Sequence, residues 1–206
     1  MARILLTAFE PYGPWIDNAS WLTLIRVTHD LPSTPEVVTR KYPVDFDEVQ
    51  ERIAADLLTG FDFALHLGQA PGTTAIQLES TAINVRQDES MTELGTDFGL
   101  LQAGGEAAFQ TNLPIAEWAN GMRQQGLPVQ VSHYAGTYLC NALYYWSLSL
   151  SREAGGGCRS LFVHLPVASE QAEAISTPSL SADVSASVIR NLLTYMHALA
   201  DEPELA

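Results

Sequence analysis

The stretches RILLTAF (residues 3–9) and FALHLG (residues 63–68) carry apolar residues at odd and even positions alike. A strand with one face toward water would alternate between apolar and polar residues, so both faces of these strands must be covered. Similar runs alternate with segments of helical periodicity, which is typical of an α/β fold with helices on both sides of a sheet. Strands are predicted over residues 3–9, 36–42, 62–68, 75–85, 129–134 and 160–165.

Helices are predicted from caps and from apolar residues that recur at helical spacing. Asp45 and Glu48 form a capping box before one helix, and Pro114 suits the first turn of another. Two further helices are predicted over residues 136–151 and from Ser181 onward. The apolar stripes of these helices include Val49, Ile53 and Leu57; Ile115, Trp118 and Met122; and Val184, Val188, Leu192 and Leu199. We interpret the last stripe as core packing.

The length of 206 residues predicts one domain that spans the whole chain, residues 1–206. Residues 86–112 contain four glycines and little apolar periodicity, which predicts a long irregular loop. The acidic tail DEPELA, residues 201–206, is expected to fray.

The charge balance excludes several classes of partner. With 10 Lys and Arg against 24 Asp and Glu, the net charge is −14, and neither nucleic acid nor an anionic membrane should bind. Cys140 and Cys158 cannot form a disulfide framework, and no Cys/His cluster predicts a structural metal. The N-terminal apolar run is too short for a signal peptide and no stretch is long enough to span a membrane, so we expect a cytoplasmic protein.

Cys140 is the first candidate for chemistry. It lies in AGTYLCN, residues 135–141, where a strand gives way to a predicted helix. A thiol in the first turn of a helix lies at the positive end of the helix dipole, close to free N–H groups that can stabilise a thiolate or an oxyanion. The alternative is a buried structural cysteine. Cys158, in the polar loop GGGCRS, has no comparable setting and is interpreted as a bystander.

His164 and Glu79 could complete a catalytic set with this cysteine. His164 stands at the carboxyl end of an apolar strand, where ligands bind in open α/β sheets, although a core histidine is the alternative. Glu79 interrupts the otherwise neutral run TTAIQLESTAINV, residues 73–85, and a buried carboxylate needs a partner such as an imidazole. It could equally face water at a strand edge. His66 is interpreted as packed in the sheet, and His133 is not assigned to the site.

Four stretches together resemble the signature segments of the pyroglutamyl peptidase I family, also called pyrrolidone carboxyl peptidases. They are LHLGQA (residues 65–70), LESTAIN (residues 78–84), AGTYLCN, and FVHLP followed by EQ within residues 162–171. The resemblance implies a cysteine exopeptidase that removes an N-terminal pyroglutamyl residue from peptides. It also implies a three-layer α/β/α sandwich around a mostly parallel or mixed sheet, assembled as a homotetramer, with no metal or organic cofactor.

By the same resemblance, Cys140 is the nucleophile, His164 the acid and base, and Glu79 the third catalytic residue. Phe9 and Tyr12 would flank the lactam ring, and Gln69 would help to recognise the lactam.

The chain also departs from the family pattern. Tyr12 replaces a phenylalanine, Pro14 replaces a second glycine, and Arg86 is out of register with a family arginine that follows the AIN stretch. Two alternatives therefore stay open: a ligand-binding relative with reduced or lost turnover, and a nucleoside phosphorylase-like enzyme. The second would need phosphate-binding arginines or a glycine-rich cradle, and the sequence contains no such loop.

Overall fold

Strands and helices alternate along the chain in a computed structural model that describes residues 2–31, 33–88, 98–172 and 177–201. The strands in these ranges are β1 (Arg3–Phe9), β2 (Glu36–Tyr42), β3 (Phe63–Gln69), β4 (Ile76–Glu79), β5 (Thr81–Ile83), β6 (Ala108–Gln110), β7 (Val129–Ser132), β8 (Arg159–Leu165), β9 (Val167–Ala168) and β10 (Ser179–Leu180). The helices are α1 (Ala19–Thr28), α2 (Phe46–Leu57), α3 (Ile115–Gln124), α4 (Leu139–Glu153), α5 (Ser169–Ala172) and α6 (Ala182–Asp201).

The central sheet has six strands in the order β2-β1-β3-β8-β4-β7. The first four run parallel to one another, whereas β4 pairs antiparallel with β8 and parallel with β7. The carboxyl ends of β1, β3 and β8 therefore share one edge of the sheet with the amino end of β4. Two small sheets, β5 with β6 and β9 with β10, lie outside this one.

Both faces of the sheet are buried under helices, which explains why strands such as β3 carry apolar residues on both of their faces. One face packs against α1, α3 and α6, and the opposite face packs against α2 and α4. The predicted three-layer α/β/α architecture with a mixed sheet is thus confirmed. Within the described ranges, no helix is both long enough and apolar enough to cross a membrane.

Several predicted boundaries were wrong for local reasons. The strand predicted over residues 75–85 is broken at Ser80, and its second half, β5, pairs with β6 in a separate sheet. The helix predicted from residue 136 begins only at Leu139, because Gly136 has a φ of +85°, which is not a helical conformation. Helix α1 was not predicted at all, since two of the residues that it buries, Ser20 and Thr23, are polar.

The segment predicted as an irregular loop, residues 86–112, contains the strand β6. Residues 89–97 of that segment lie outside the described residues. The predicted frayed tail also falls largely outside them: Asp201 is the last residue of α6, and nothing is described beyond it.

Candidate active site

A cavity of about 330 Å³ opens at the edge of the sheet where β1, β3 and β8 end. This volume lies at the lower end of the range for small-ligand pockets. Its walls are formed by Phe9, Tyr12, Asn18, Val44, Gln69, Ala70, Gln77, the segment from Tyr134 to Cys140, and His164. Among the described residues, no Asp, Glu, Lys or Arg lines it, so apart from Cys140 and His164 the cavity is neutral.

Cys140 enters the cavity from the first turn of α4. The first hydrogen bond within this helix runs from the N–H of Ala142 to the carbonyl of Tyr138, and no described side chain caps the preceding N–H groups. Asn141 fixes this helix end, since its Oδ1 accepts from the N–H of Ile83 and its Nδ2 donates to the carbonyls of Ile83 and Val85, at 2.9–3.0 Å. The thiol is therefore held rigidly beside unsatisfied backbone donors.

His164 is joined to Glu79 by a buried hydrogen bond of 2.8 Å between Nδ1 and Oε1. Because β4 is antiparallel to β8, His164 lies opposite Gln77, and Glu79 is its diagonal neighbour on the same face of the sheet. Glu79 is fully buried, and its Oε2 has no hydrogen-bond partner among the described groups. A carboxylate only accepts, so Nδ1 carries the proton and Nε2 is left for Cys140.

The charge on His164 depends on these neighbours. Burial by itself would lower the pKa of the imidazole, but the charge and hydrogen bonding of Cys140, together with those of Glu79, outweigh it and raise the pKa to about 9. The charged form of the His164 imidazole is thus favoured near neutral pH. His164 can therefore hold a proton and deliver it to a group in the cavity.

Gln69 presents an unpaired donor in this region. Its Oε1 accepts from the N–H of Ala19 at the start of α1, whereas its buried Nε2 has no partner among the described groups. Tyr12 donates its hydroxyl to the carbonyl of Gln69 at 3.3 Å, and burial raises the pKa of Tyr12 to about 12, so the phenol stays neutral. With Phe9 at the end of β1, these residues form an apolar slot with neutral polar groups at its edge.

The structure thus brings together all six residues singled out from the sequence. Five of them line the cavity, and Glu79 lies buried behind His164.

The other residues considered from the sequence lie elsewhere. His66 is fully buried and bonded to Thr7 and Ser147, as predicted for a histidine packed in the sheet. His133 is bonded to Ser80 and does not line the cavity. The guanidinium of Arg86 lies 4.2 Å from the ring centre of Phe46 and pairs with Asp88.

Cys158 is remote from the cavity, and burial raises the pKa of its thiol to about 11. Across the described part of the chain, no three His, Cys, Asp or Glu side chains are grouped as metal ligands.

Sequence reasoning missed several residues that line the cavity, namely Asn18, Val44, Gln77 and Tyr134. Asn18 caps α1 by accepting from the N–H of Ser20, and an asparagine before a helix is a recognisable signal. Val44, Gln77 and Tyr134 carry no comparable signal, because they reach the cavity only through the arrangement of strands.

Comparisons with known proteins agree on one family. A family model described as pyroglutamyl peptidase matches residues 2–196. The chain is similar to the pyrrolidone-carboxylate peptidase of Clavibacter michiganensis, with 32% identity over 194 residues that cover 92% of this chain and 90% of the relative. It is also similar to the enzyme of that name from Yersinia pestis, with 34% identity over 191 residues, 88% of this chain and 86% of the relative.

Solved structures show the same likeness. The pyrrolidone carboxyl peptidase of Fervidobacterium islandicum superposes with a TM-score of 0.88 at 30% identity, over 96% of this chain and 99% of that one. The pyroglutamyl peptidase I of Bacillus amyloliquefaciens gives a TM-score of 0.86 at 27% identity, over 100% of this chain and 99% of that one.

Proposed function

Since this chain belongs to the pyroglutamyl peptidase family of cysteine peptidases, we propose that it hydrolyses the bond after an N-terminal pyroglutamyl residue through a thioester on Cys140. The observation that carries this proposal is the buried pair of His164 and Glu79 beside a thiol at a helix N-terminus, all at one neutral cavity. The family match leaves the nucleoside phosphorylase-like alternative without support.

The proposed reaction has two steps. In the first, the Cys140 thiolate attacks the pyroglutamyl carbonyl, the C–N bond breaks, and His164 gives its Nε2 proton to the departing amine. In the second, His164 takes a proton from water, the hydroxide attacks the thioester, and the C–S bond breaks to release pyroglutamate and restore the thiolate. Glu79 holds the imidazole in one tautomer and stabilises its charged form.

The oxyanion that forms in each step needs hydrogen-bond donors already in place. The N–H groups of Leu139, Cys140 and Asn141 precede the first hydrogen bond within α4, and no described side chain caps them. We assign the oxyanion site to this turn.

Selectivity for pyroglutamate would come from the neutral slot. The lactam nitrogen is uncharged, so the ring can lie between Phe9 and Tyr12 while the free Nε2 of Gln69 donates to its carbonyl. An ordinary N-terminal residue would bring an ammonium group into a cavity whose described lining residues include no carboxylate. Prolyl substrates would lack the ring carbonyl and leave Gln69 unpaired.

The direct test is turnover of pyroglutamyl, prolyl and glutamyl amides by the wild-type chain and by two cysteine variants. Pyroglutamyl amide should be the best substrate by a wide margin. Cys140→Ala should lose at least about 10³-fold in kcat/KM, whereas Cys158→Ala, the matched control, should retain activity. Mass spectrometry of a rapidly acid-quenched reaction should show one pyroglutamyl group on Cys140. Undiminished turnover by Cys140→Ala would refute the assignment.

Thiol alkylation separates catalysis from a relative that only binds. A catalytic Cys140 should react with iodoacetamide at neutral pH much faster than Cys158, whose raised pKa keeps it protonated. Equal rates, together with binding of pyroglutamate but no turnover, would favour the ligand-binding alternative.

The setting that fits this chemistry is a reducing one, because the nucleophile must remain a free thiol. Cys140 and Cys158 are both free in the structure. We therefore propose a cytoplasmic enzyme, and we carry over from the family resemblance the homotetramer as its assembly.

A further inference from the structure

Several residues that line the cavity lie on neighbouring strands, so their order across the cavity follows the order of the strands in the sheet. Phe9 ends β1, Gly68 and Gln69 end β3, His164 lies near the end of β8, and Gln77 lies in β4. Cys140 lies over β3, because a Cβ added to Gly68 would come within 2.8 Å of its Sγ. Reading across the sheet, the aromatic slot comes first, then the nucleophile, then the imidazole, and finally Gln77.

This order fixes the direction in which a substrate must lie, given the proposed function. The lactam ring and the leaving nitrogen are two substituents of the carbonyl carbon that Cys140 attacks, and they point away from each other. The ring occupies the slot on the β1 side, and the nitrogen must lie at His164, which protonates it. The rest of the peptide therefore continues toward β4, whose backbone lies about 5 Å beyond that of β8.

Gln77 is placed to meet the first residue after pyroglutamate. It lies directly opposite His164 in the antiparallel pair, and both side chains project from the same face of the sheet. It is partly buried on the cavity wall, and among the described residues its side-chain amide makes no hydrogen bond. An amide offers one acceptor and two donor hydrogens, which match the carbonyl and N–H of a peptide backbone.

Tyr134 forms another part of the cavity wall. It lies on the segment that connects β7 to α4 and lines the cavity, yet 58% of it remains exposed. An exposed aromatic ring at the mouth of a binding cavity is suited to cover an apolar side chain.

We propose that Gln77 and Tyr134 form a subsite for the first residue of the leaving peptide. The amide of Gln77 hydrogen-bonds the backbone of that residue, and the ring of Tyr134 packs on its side chain. The subsite rests on the proposed function, since it assumes that the bond to this residue is the one cleaved. It makes Gln77 and Tyr134 determinants of specificity on the leaving side, separate from the lactam slot.

The test compares two substrates that share the pyroglutamyl group. Pyroglutamyl-alanyl-alanine amide has a backbone carbonyl after the scissile bond, whereas pyroglutamyl p-nitroanilide has none. In Gln77→Leu, which keeps the volume and removes the polar groups, the ratio of kcat/KM for the peptide to that for the anilide should fall about 5- to 10-fold. Gln130→Leu is the matched control, because Gln130 pairs with Gln77 on β7, is exposed and does not line the cavity.

Tyr134→Ala supplies an independent measurement at an exposed position. It should lower the preference for pyroglutamyl-phenylalanyl-alanine over pyroglutamyl-glycyl-alanine about 3- to 10-fold. An unchanged ratio in Gln77→Leu, or an unchanged preference in Tyr134→Ala, overturns the subsite. Failure of the wild-type chain to cleave either pyroglutamyl substrate would instead overturn the proposed function.

Discussion

At Gly68, a single added methyl group should lower catalytic activity strongly while it lowers the stability of the fold only modestly. A Cβ at this residue would lie 2.8 Å from Sγ of Cys140 and 2.7 Å from Cζ of Phe162. Unstrained contacts between carbon atoms are about 3.5–4.0 Å, so the neighbours would have to yield by about 1 Å. The φ of Gly68 is not in the left-handed region, so the effect of Gly68→Ala should arise from this contact alone.

The two neighbours differ in their freedom to move. Phe162 is fully buried, and its ring centre lies 4.9 Å from that of His164 and 6.0 Å from that of Tyr144. Cys140 is partly buried and borders the open cavity. We therefore expect the sulfur atom to shift by most of the required distance, away from its position beside His164.

A shift of about 1 Å in a reacting atom lowers activity by about 10²-fold, and kcat should fall more than KM rises. Overpacking of this kind costs about 1–3 kcal/mol of unfolding free energy, which corresponds to a decrease in Tm of about 2–12 °C. Both effects can be measured on one preparation, by steady-state kinetics with a pyroglutamyl amide and by a thermal melt. The assay temperature should lie well below the melting transition of the variant.

Gly157→Ala is the matched control, since a Cβ there would meet no atom within 4 Å and its φ is not positive. It should match the wild type in kcat/KM and in Tm. If Gly68→Ala retained wild-type kcat/KM, the expectation that catalysis depends on the close approach of Cys140 to β3 would be refuted.

Two further predictions concern histidines. Cys140 and, to a smaller extent, Glu79 raise the pKa of His164 to about 9, so Glu79→Gln should move the basic limb of the pH profile of kcat/KM from about pH 9 to lower pH. The maximum should fall by about 10²- to 10⁴-fold, and an unmoved limb would contradict this coupling. Burial lowers the pKa of His66 to about 3. Below pH 6.5, His66 is therefore protonated in the unfolded chain but stays neutral in the folded chain. Acidification from pH 7 to pH 5 should therefore cost the wild type about 2 kcal/mol of unfolding free energy more than it costs His66→Gln, measured by urea denaturation; equal losses would disprove the effect.

The layers of the fold could be predicted because they depend on local pattern. Apolar residues on both faces of β1, β3 and β8 already require helices above and below the sheet. The break at Ser80 could not be predicted, since the run from residue 75 to residue 85 has no proline or glycine to interrupt it. It arises because β5 finds a different partner, β6, in a segment without apolar periodicity.

The candidate site was predictable in part for a similar reason. Cys140, His164 and Glu79 each stand out locally, as a thiol near a helix start, an imidazole near a strand end and a carboxylate in a neutral run. Their convergence is not local, because it requires β8 to lie between β3 and β4 in the sheet. Val44, Gln77 and Tyr134 line the same cavity without any distinguishing chemistry, and so only the structure reveals them.

The reversed direction of β4 explains the positions of Glu79 and Gln77, the two residues of this strand that lie next to His164. In a parallel strand, a residue at the carboxyl end such as Glu79 would lie at the open edge of the sheet, where water would weaken its interaction with the imidazole. Because β4 is antiparallel, Glu79 pairs with Phe162, two residues in from His164, and is fully buried. The same reversal brings Gln77 to the edge beside His164. One change of strand direction thus buries the carboxyl group that bonds His164 and places a neutral amide on the side where we propose that the leaving peptide lies.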